Sequence, residues 1–584
     1  MISNLPLIPA PPSLPPPSRL QKPSSYATGI TSPPLGLPYQ PVPPMQTPIQ
    51  KAPWPVFYPA PWSAANLPAA QSLGSLPPST NQLPQATTAL QFQPQIPPVQ
   101  PVWHNDLKDL FHKNQAIIYA LNIRTYGAHD DNHDGRISLA QGENGTFLSC
   151  IPKLDQLANL GVNTIHLLPI NPLSKTRRLG EAGSLYAPSD YHTLNPEFHQ
   201  PGSGMDIEQE ARTFVNECHK RGIRVMVDIP SCASADLAKA RPDLIARDEN
   251  GKTKTPTNWV DIVMFENGKP LQDYFQGFFD LMVNKVGVDG FRADVARART
   301  LDFWQHFTNK YPGMAWLAES YCHEDASPLK NLPADRPQDL LRAGFDSYYG
   351  QFHIFHSMTN AKEYMDYLLS NRAMFQRASQ VGGNDKSFIG SFLTHDDPSL
   401  MEHGGALMCM LATGLMTTQP FTNPYIMDGF TTGYKKDFDI FNYVPQHKGN
   451  NPEIGLMMRH MLELRKAYGP VLTQGAFIPI PVNGGDNNQV IAFARQDLNR
   501  QKTLLVVANK DINTQQKATL NLPGLNRSQP MINLVPGYGR PSYFYPDNNQ
   551  LSVDLGPGRF HVFEINTPNL ADDLHIPADL KAQA

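Results

Sequence analysis

Three acidic residues of this sequence stand where short apolar runs end: Asp294 after Val288 to Arg292, Glu319 after Ala315 to Ala318, and Asp396 after Ser387 to Thr394. Arg292 precedes Asp294 by two residues, so on a strand both side chains point to one face. A cation beside a carboxyl favours its ionised form, whereas apolar surroundings raise its proton affinity. This pattern predicts an ionised Asp294 and, after Trp316, Leu317 and Ala318, a protonated Glu319. Two carboxyls of opposite protonation, about 5 Å apart, are what glycoside cleavage with retention requires. One attacks the anomeric carbon and the other protonates the departing oxygen. Asp396 would then bind substrate hydroxyls, with His395 as a further donor. A structural salt bridge is the alternative for Arg292 and Asp294 taken alone; three acids at three strand ends favour chemistry.

The elements that must carry these residues alternate. Ala116 to Ile123, Asn163 to Pro169, Ile223 to Asp228, Val288 to Arg292, Ala315 to Glu319 and Ser387 to Thr394 read as strands apolar along their length. Between them lie helical spacings: Leu154, Leu157 and Ala158 before Gly161; Ile207 to Cys218 behind an Asp206/Gln209 capping box; and Leu271 to Met282 behind Pro270. Fully apolar strands alternating with helices imply a parallel sheet covered on both faces. Acids at the strand C-termini favour a (β/α)8 TIM barrel, whose active site forms at that mouth. An open doubly wound sheet would show a GxGxxG turn, and none follows a strand here. The barrel is expected over residues 106–470, with a short inserted domain at about 234–269. Short alternating strands follow within 471–567 (Val490 to Arg495, Thr503 to Ala508, Ala518 to Leu522, Leu551 to Leu555, Phe560 to Ile565) and predict an antiparallel β-sandwich. Residues 568–584 read as a polar tail.

Residues 1–105 are different in kind. They hold nearly half of the 57 prolines, the cations Arg19, Lys22 and Lys51, and no acid before Asp106. Such a segment is expected to be disordered or polyproline-like, a tether or, through its scattered aromatics, a docking arm for a protein partner. The formal net charge of −4 gives no reason to expect nucleic acid or a membrane surface as partner. No apolar run is long enough for a membrane span, and no standard secretory signal is expected. Five separated cysteines without a CxxC pair read as buried thiols of a reducing compartment, so a cytoplasmic location is expected. No redox or nucleotide cofactor is implied.

One loop has metal-ligand spacing. Asp130, Asn132 and Asp134, followed by Gly135 and the Arg136 carbonyl, match the first half of a calcium loop, although Gln141 stands where a bidentate Glu is usual. Calcium is one reading and a solvated Asx turn the other. The basic run Lys175 to Arg178 reads as a solvated face, with contact to a phosphorylated sugar the lesser alternative. Trp259 would either stack on a sugar or pack locally.

Gly290 to Asp294 (GFRAD), Ala318 to Ser320 (AES) and Thr394 to Asp397 (THDD) resemble the strand-4, strand-5 and strand-7 motifs of the α-amylase family, glycoside hydrolase family 13. The resemblance extends from about Asn114 to Ile565 and includes Lys153 to Ile170 and the Tyr186 to Tyr191 stretch (YAPSDY). It implies Asp294 as nucleophile, Glu319 as acid/base and Asp396 as transition-state stabiliser. Arg292, His395, Tyr186 and the strand-3 residue Asp228 would shape the sugar subsite. Several Asp-x-Asn-x-Asp loops after strand 1 in such proteins carry a metal, which supports the calcium reading. The sequence departs from the family where Cys232 and Ala233 replace the usual Asn and His after strand 3, and where Arg297-Ala298 replaces Lys-His. The expected function is a retaining α-glucan hydrolase. A transglycosylase with the same triad is the alternative, and a non-catalytic glycan-binding or scaffold member the second.

Overall fold

In the computed structural model, residues 103–256, 260–320, 337–349, 351–379, 387–483, 489–525, 528, 531–535, 543–544 and 546–577 are described. Residues 1–102 of the proline-rich segment and Trp259 lie outside them, whereas its last residues, from Trp103, are packed against the barrel through Trp103 and Asn105. Eight parallel strands close a barrel. In chain order they are β1 (Ile118–Leu121), β2 (Thr164–Leu167) and β3 (Arg224–Ile229), then, after a hairpin of β4 (Cys232–Ser234) and β5 (Ile262–Met264), β6 (Gly290–Ala293), β7 (Ala315–Ala318), β8 (Ser347–Tyr349), β9 (Ser387–Gly390) and β10 (Thr422–Met427). The ring runs β1-β10-β9-β8-β7-β6-β3-β2 and every neighbour pairs in parallel. The barrel expected from the alternating pattern is therefore present.

Six of the eight strands coincide with the runs named above, β3 and β6 each extending one residue beyond. The other two, β8 and β10, give little sequence signal, because one is three residues long and the other carries Thr422, Asn423 and Pro424. Asn423 is needed there: its side chain caps the Ala116 N–H (2.9 Å) and donates to the Phe111 carbonyl (3.1 Å) and Ser387 Oγ (2.9 Å). The helix Ile207–Lys220 begins with the Asp206/Gln209 box, has Glu208 in its first turn and His219 and Lys220 in its last, and buries Ala211, Phe214, Val215 and Cys218. These charges complement the helix dipole. Gly287, at φ +85, ends the following helical segment and turns the chain into β6.

Acids also occur at the opposite end of the barrel, where they hold the fold. Asp289, before β6, accepts from Trp103 Nε1 (2.9 Å), the Val225 N–H (2.8 Å) and His219 (2.8 Å). Asp346, before β8, accepts from the Trp316 N–H (2.9 Å) and pairs with His112 (2.7 Å). The inserted region after β3 is small: the helix Ala235–Ala240, a single turn at Pro242–Leu244, and the β4–β5 hairpin.

Beyond the barrel lie β11 (Ala476–Pro479), β12 (Val482–Asn483), β13 (Val490–Gln496), β14 (Thr503–Asn509), β15 (Gln516–Asn521), β16 (Met531–Ile532), β17 (Tyr543–Phe544), β18 (Gln550–Leu555) and β19 (Phe560–Ile565). They form antiparallel sheets ordered β11-β13-β14-β19 and β12-β15-β18, with a β16–β17 pair. A core including Ile478, Leu505, Val507, Leu520, Val553 and Phe563 lies between the sheets. The stretch from Pro568, expected as a polar tail, instead carries the helix Leu570–Asp573, whose Leu570 and Ala571 are buried in that core. Leu574 and Ile576 pack against the same core. The four described cysteines, Cys150, Cys218, Cys232 and Cys409, are buried and free. No described helix is long and apolar enough to cross a membrane.

Candidate active site

The C-terminal ends of β3, β6, β7 and β9 meet at one mouth around Arg292. Its side chain is 1% exposed, and Nη1 donates to both Asp228 oxygens (2.9 Å each) and to Asp294 Oδ1 (3.1 Å). Nη2 lies 3.1 Å from Glu319 Oε2. One guanidinium thus fixes three carboxylates from three strands. The parallel register makes this possible, since Asp228 pairs with Arg292 and Arg292 with Leu317 across β3, β6 and β7.

Each carboxyl has a second anchor. Asp294 Oδ2 accepts from the Ser231 hydroxyl (2.8 Å) and the Ser231 N–H (3.1 Å). Glu319 Oε2 accepts from the Val295 N–H (2.6 Å). Val295 is a β-branched residue at φ +39, a left-handed conformation that only the surrounding structure sustains, and it aims that N–H at Glu319. Asp228, expected to bind substrate, has no exposed surface and lies beneath the mouth. It accepts from Tyr186 Oη (2.8 Å), lies 3.5 Å from His166 Nε2, and serves to orient Arg292 and Tyr186. Its burial followed from the length of β3, which continues one residue past it to Ile229.

Tyr186 and His395 line the mouth as a stacked pair, with ring centroids 5.2 Å apart and planes 6° from parallel. The guanidinium of Arg292 lies 5.9 Å from the Tyr186 ring centre and 5.5 Å from that of Tyr349. Tyr186 lies within the fields of Asp228, Asp294 and Asp396 together, so the β9 acid faces the same space. Asp396 is the most open of the acids, its side chain 44% exposed and 3.4 Å from His395 Nε2. The next residue, Asp397, fixes this turn by accepting from the Thr394 N–H (2.8 Å) and hydroxyl (2.7 Å). Cys232 and Ala233 are drawn into the β4–β5 hairpin and buried.

The proton distribution differs from that expected of Arg292 and Asp294 alone. Burial, then the charge of Glu319, push the Asp294 carboxyl well up, and Arg292 only partly offsets them. The structural cause is the shared guanidinium, which brings the Glu319 charge to bear on Asp294. Asp228 is the carboxylate held ionised: burial raises it, but Arg292 and His166 outweigh burial and leave it at about 2. Burial and the nearby Arg292 lower His395 to about 4, so at neutral pH its ring is uncharged.

His166, Ser231, Tyr349 and Tyr425 belong to this site and were missed from sequence. A His inside the apolar β2 run was the one visible signal. It bonds Tyr425 Oη through Nδ1 (2.9 Å), and Tyr425 bonds Tyr349 (3.0 Å), a polar floor that no sequence spacing announces.

The Asp130 to Arg136 loop closes on itself. Asp130 accepts from the Asp134 (3.2 Å) and Gly135 (2.9 Å) N–H groups, Asn132 Oδ1 from Asp134 (2.9 Å), and Asp134 from Arg136 (2.8 Å). Glu143 turns inward to the N–H groups of Asp131 (3.3 Å) and Ser138 (2.9 Å). Among the described residues no three His, Cys, Asp or Glu side chains converge as a metal would require. The loop offers two carboxylates and one amide oxygen. Within Lys175 to Arg178, the Arg178 side chain bonds the Ala182 carbonyl (2.8 Å) and lies 3.7 Å from Glu197.

A closed parallel barrel with paired carboxyls on one guanidinium at its C-terminal mouth defines a class of glycosidase-like folds. No family model matches the chain. The chain is 24% identical over 411 residues to an α-1,4-glucan:maltose-1-phosphate maltosyltransferase of Methylacidiphilum infernorum, covering 65% of this chain and 58% of that protein. It is 24% identical over 404 residues to a cyclomaltodextrinase of Thermoanaerobacter pseudethanolicus, covering 62% and 63%. The chain thus spans less than two thirds of either relative. Among solved structures, a noncanonic maltogenic α-amylase of Thermotoga neapolitana superposes with a TM-score of 0.63 at 24% identity, over 78% of this chain and 99% of that one. The homologues and structural neighbours of this chain are α-amylase-family proteins, glycoside hydrolase family 13.

Proposed function

We propose that this chain cleaves α-glucosidic bonds of an α-glucan with retention, through a covalent glycosyl–Asp294 intermediate. The observation that carries this reading is the joint hold of Arg292 on Asp294 and Glu319, each with its own second anchor. The first step consumes one proton from the acid/base. With that proton on Glu319, an Asp294 oxygen attacks the anomeric carbon while Glu319 protonates the departing glycosidic oxygen. In the second step Glu319 takes a proton from water, the oxygen attacks the same carbon, and the bond to Asp294 breaks. His395, uncharged, and the open Asp396 are suited to hold sugar hydroxyls, and Tyr186 to stack on the ring.

A sugar hydroxyl in place of water would make the same site a transglycosylase, a reading favoured by the maltosyltransferase among the relatives. Incubation with maltoheptaose and resolution of the products separates the two: shortened chains alone mean hydrolysis, longer chains mean transfer. Unchanged maltoheptaose, with no action on shorter α-glucans, would overturn both.

We also propose that the Asp130 loop holds calcium through the side-chain oxygens of Asp130, Asn132 and Asp134 and the Arg136 carbonyl. The hydrogen bond from Gly135 to Asp130 already closes the turn such a loop needs. Calcium there would brace the segment after β1. Buried, unpaired cysteines fit the reducing, cytoplasmic setting that we propose.

A further inference from the structure

We infer that Ser231 is a positioning residue for the Asp294 carboxylate, fixing its plane from the side opposite Arg292. The inference rests on Asp294 being the nucleophile. A carboxylate held at one oxygen can swing about its Cβ–Cγ bond. Here Arg292 holds Oδ1 at 3.1 Å, while Ser231 holds Oδ2 with two donors, the hydroxyl at 2.8 Å and the N–H at 3.1 Å. Pro230 has no N–H, so Ser231 is the first donor after β3 ends.

The segment carrying Ser231 is held on three successive carbonyls. The Tyr191 hydroxyl, fully buried, bridges the Pro230 (3.0 Å) and Cys232 (2.8 Å) carbonyls, with one proton to share between them. Arg299 donates to the Ser231 carbonyl between them. That arginine is 2% exposed and lies over the rings of Phe265 (5.1 Å), Phe275 (5.9 Å) and Phe303 (6.0 Å). A buried cation boxed in by aromatic rings and bonded to backbone carbonyls is a costly way merely to fill space. Its geometric effect is to leave Ser231 no rotation, so that both donors face Asp294. Ser231 itself is 6% exposed and is placed to act on the carboxylate.

The test uses the full chain, with maltoheptaose turnover measured across pH for wild type, Ser231→Ala, Ser231→Thr and Asp294→Asn. A hydrogen bond to a charged group corresponds to roughly a 10- to 100-fold effect. Ser231→Ala is expected to lower kcat by about that factor with KM changed less than about 2-fold. The acid limb of its kcat/KM profile moves to higher pH, because the lost bond favours the ionised carboxyl. Ser231→Thr, which keeps the hydroxyl, recovers most of kcat. If wild type is active, Asp294→Asn is not, and Ser231→Ala matches wild type in kcat and acid limb, this inference alone is overturned. A loss in Ser231→Ala that tracks a fall in Tm and is not recovered by Ser231→Thr also overturns it, leaving Ser231 a packing residue. Activity retained in Asp294→Asn removes the nucleophile and this inference together.

Discussion

Asp294 sits in a field that opposes its own ionisation. Burial and Glu319 raise its proton affinity, and Arg292 and the Ser231 hydrogen bond offset part of that rise. Removing its charge should therefore separate stability from turnover. Asp294→Asn is expected to abolish maltoheptaose cleavage, by about 10⁴-fold or more, while Tm at pH 7 does not fall. Because the mechanism needs an ionised nucleophile and a protonated acid, kcat/KM should trace a bell against pH. A profile with a single limb would speak against that division of roles. At this scale the sequence placed Arg292, Asp294 and Glu319 at neighbouring strand ends. It did not show that Asp294 is pushed up, because that depends on the burial of two strand ends and on Arg292 reaching both.

Strands and helices keep this arrangement rigid through contacts that tolerate little change. In β3 and β6, Asp228 and Arg292 form a buried pair, and neutralising Asp228 removes the acceptor of two guanidinium hydrogen bonds while Asp294 and Glu319 still pair with Arg292. Asp228→Asn should cost about 1–3 kcal/mol in denaturant unfolding and reduce turnover as Arg292 and Tyr186 lose their register. A second close approach joins the barrel helix Leu400–Thr418 to β19: a Cβ on Gly414 would lie 2.3 Å from a Phe560 ring carbon. Gly414→Ala is expected to destabilise by about 1–3 kcal/mol, read as a lower Tm, with KM unaffected. Buried Arg495 on β13 reinforces that junction by donating to the carbonyls of Thr418 (3.2 Å), Leu472 (3.1 Å) and Gly475 (2.9 Å). Periodicity revealed most of the strands, but β8 and β10 escaped it, since a barrel buries polar residues such as Ser347 and Asn423 wherever a neighbouring backbone needs a partner.

Across the whole molecule, barrel and trailing sheets form one compact unit within Pro98–Ala584. Its acid sensitivity has a defined sign. His395 and His561 are held at about 4 by burial, below the unfolded value of about 6.5. The unfolded chain therefore binds more protons between those values, and stability falls as pH drops through that window. In the Asp294→Asn protein, which lacks the opposing carboxyl, Tm should decline from about pH 6.5 to about pH 4, and His561→Phe should flatten part of that decline. Bound calcium would appear as a Tm that rises with calcium and returns to the metal-free value with chelator, a response absent in Asp130→Ala. An identical Tm with and without calcium would leave the loop an Asx turn.

The sequence by itself determined the barrel, the sheets after it and the identity of the acids, because periodicity and strand-end position are local properties that each segment carries alone. Only the tertiary structure decided that Asp228 lies under the site and not in it. The same holds for the raised proton affinity of Asp294, and for Ser231, which follows a proline in an unremarkable stretch and completes the hold on Asp294. The physical reason is common to all three. Burial and charge coupling depend on distances between residues far apart in the chain, and the closed ring of strands sets those distances.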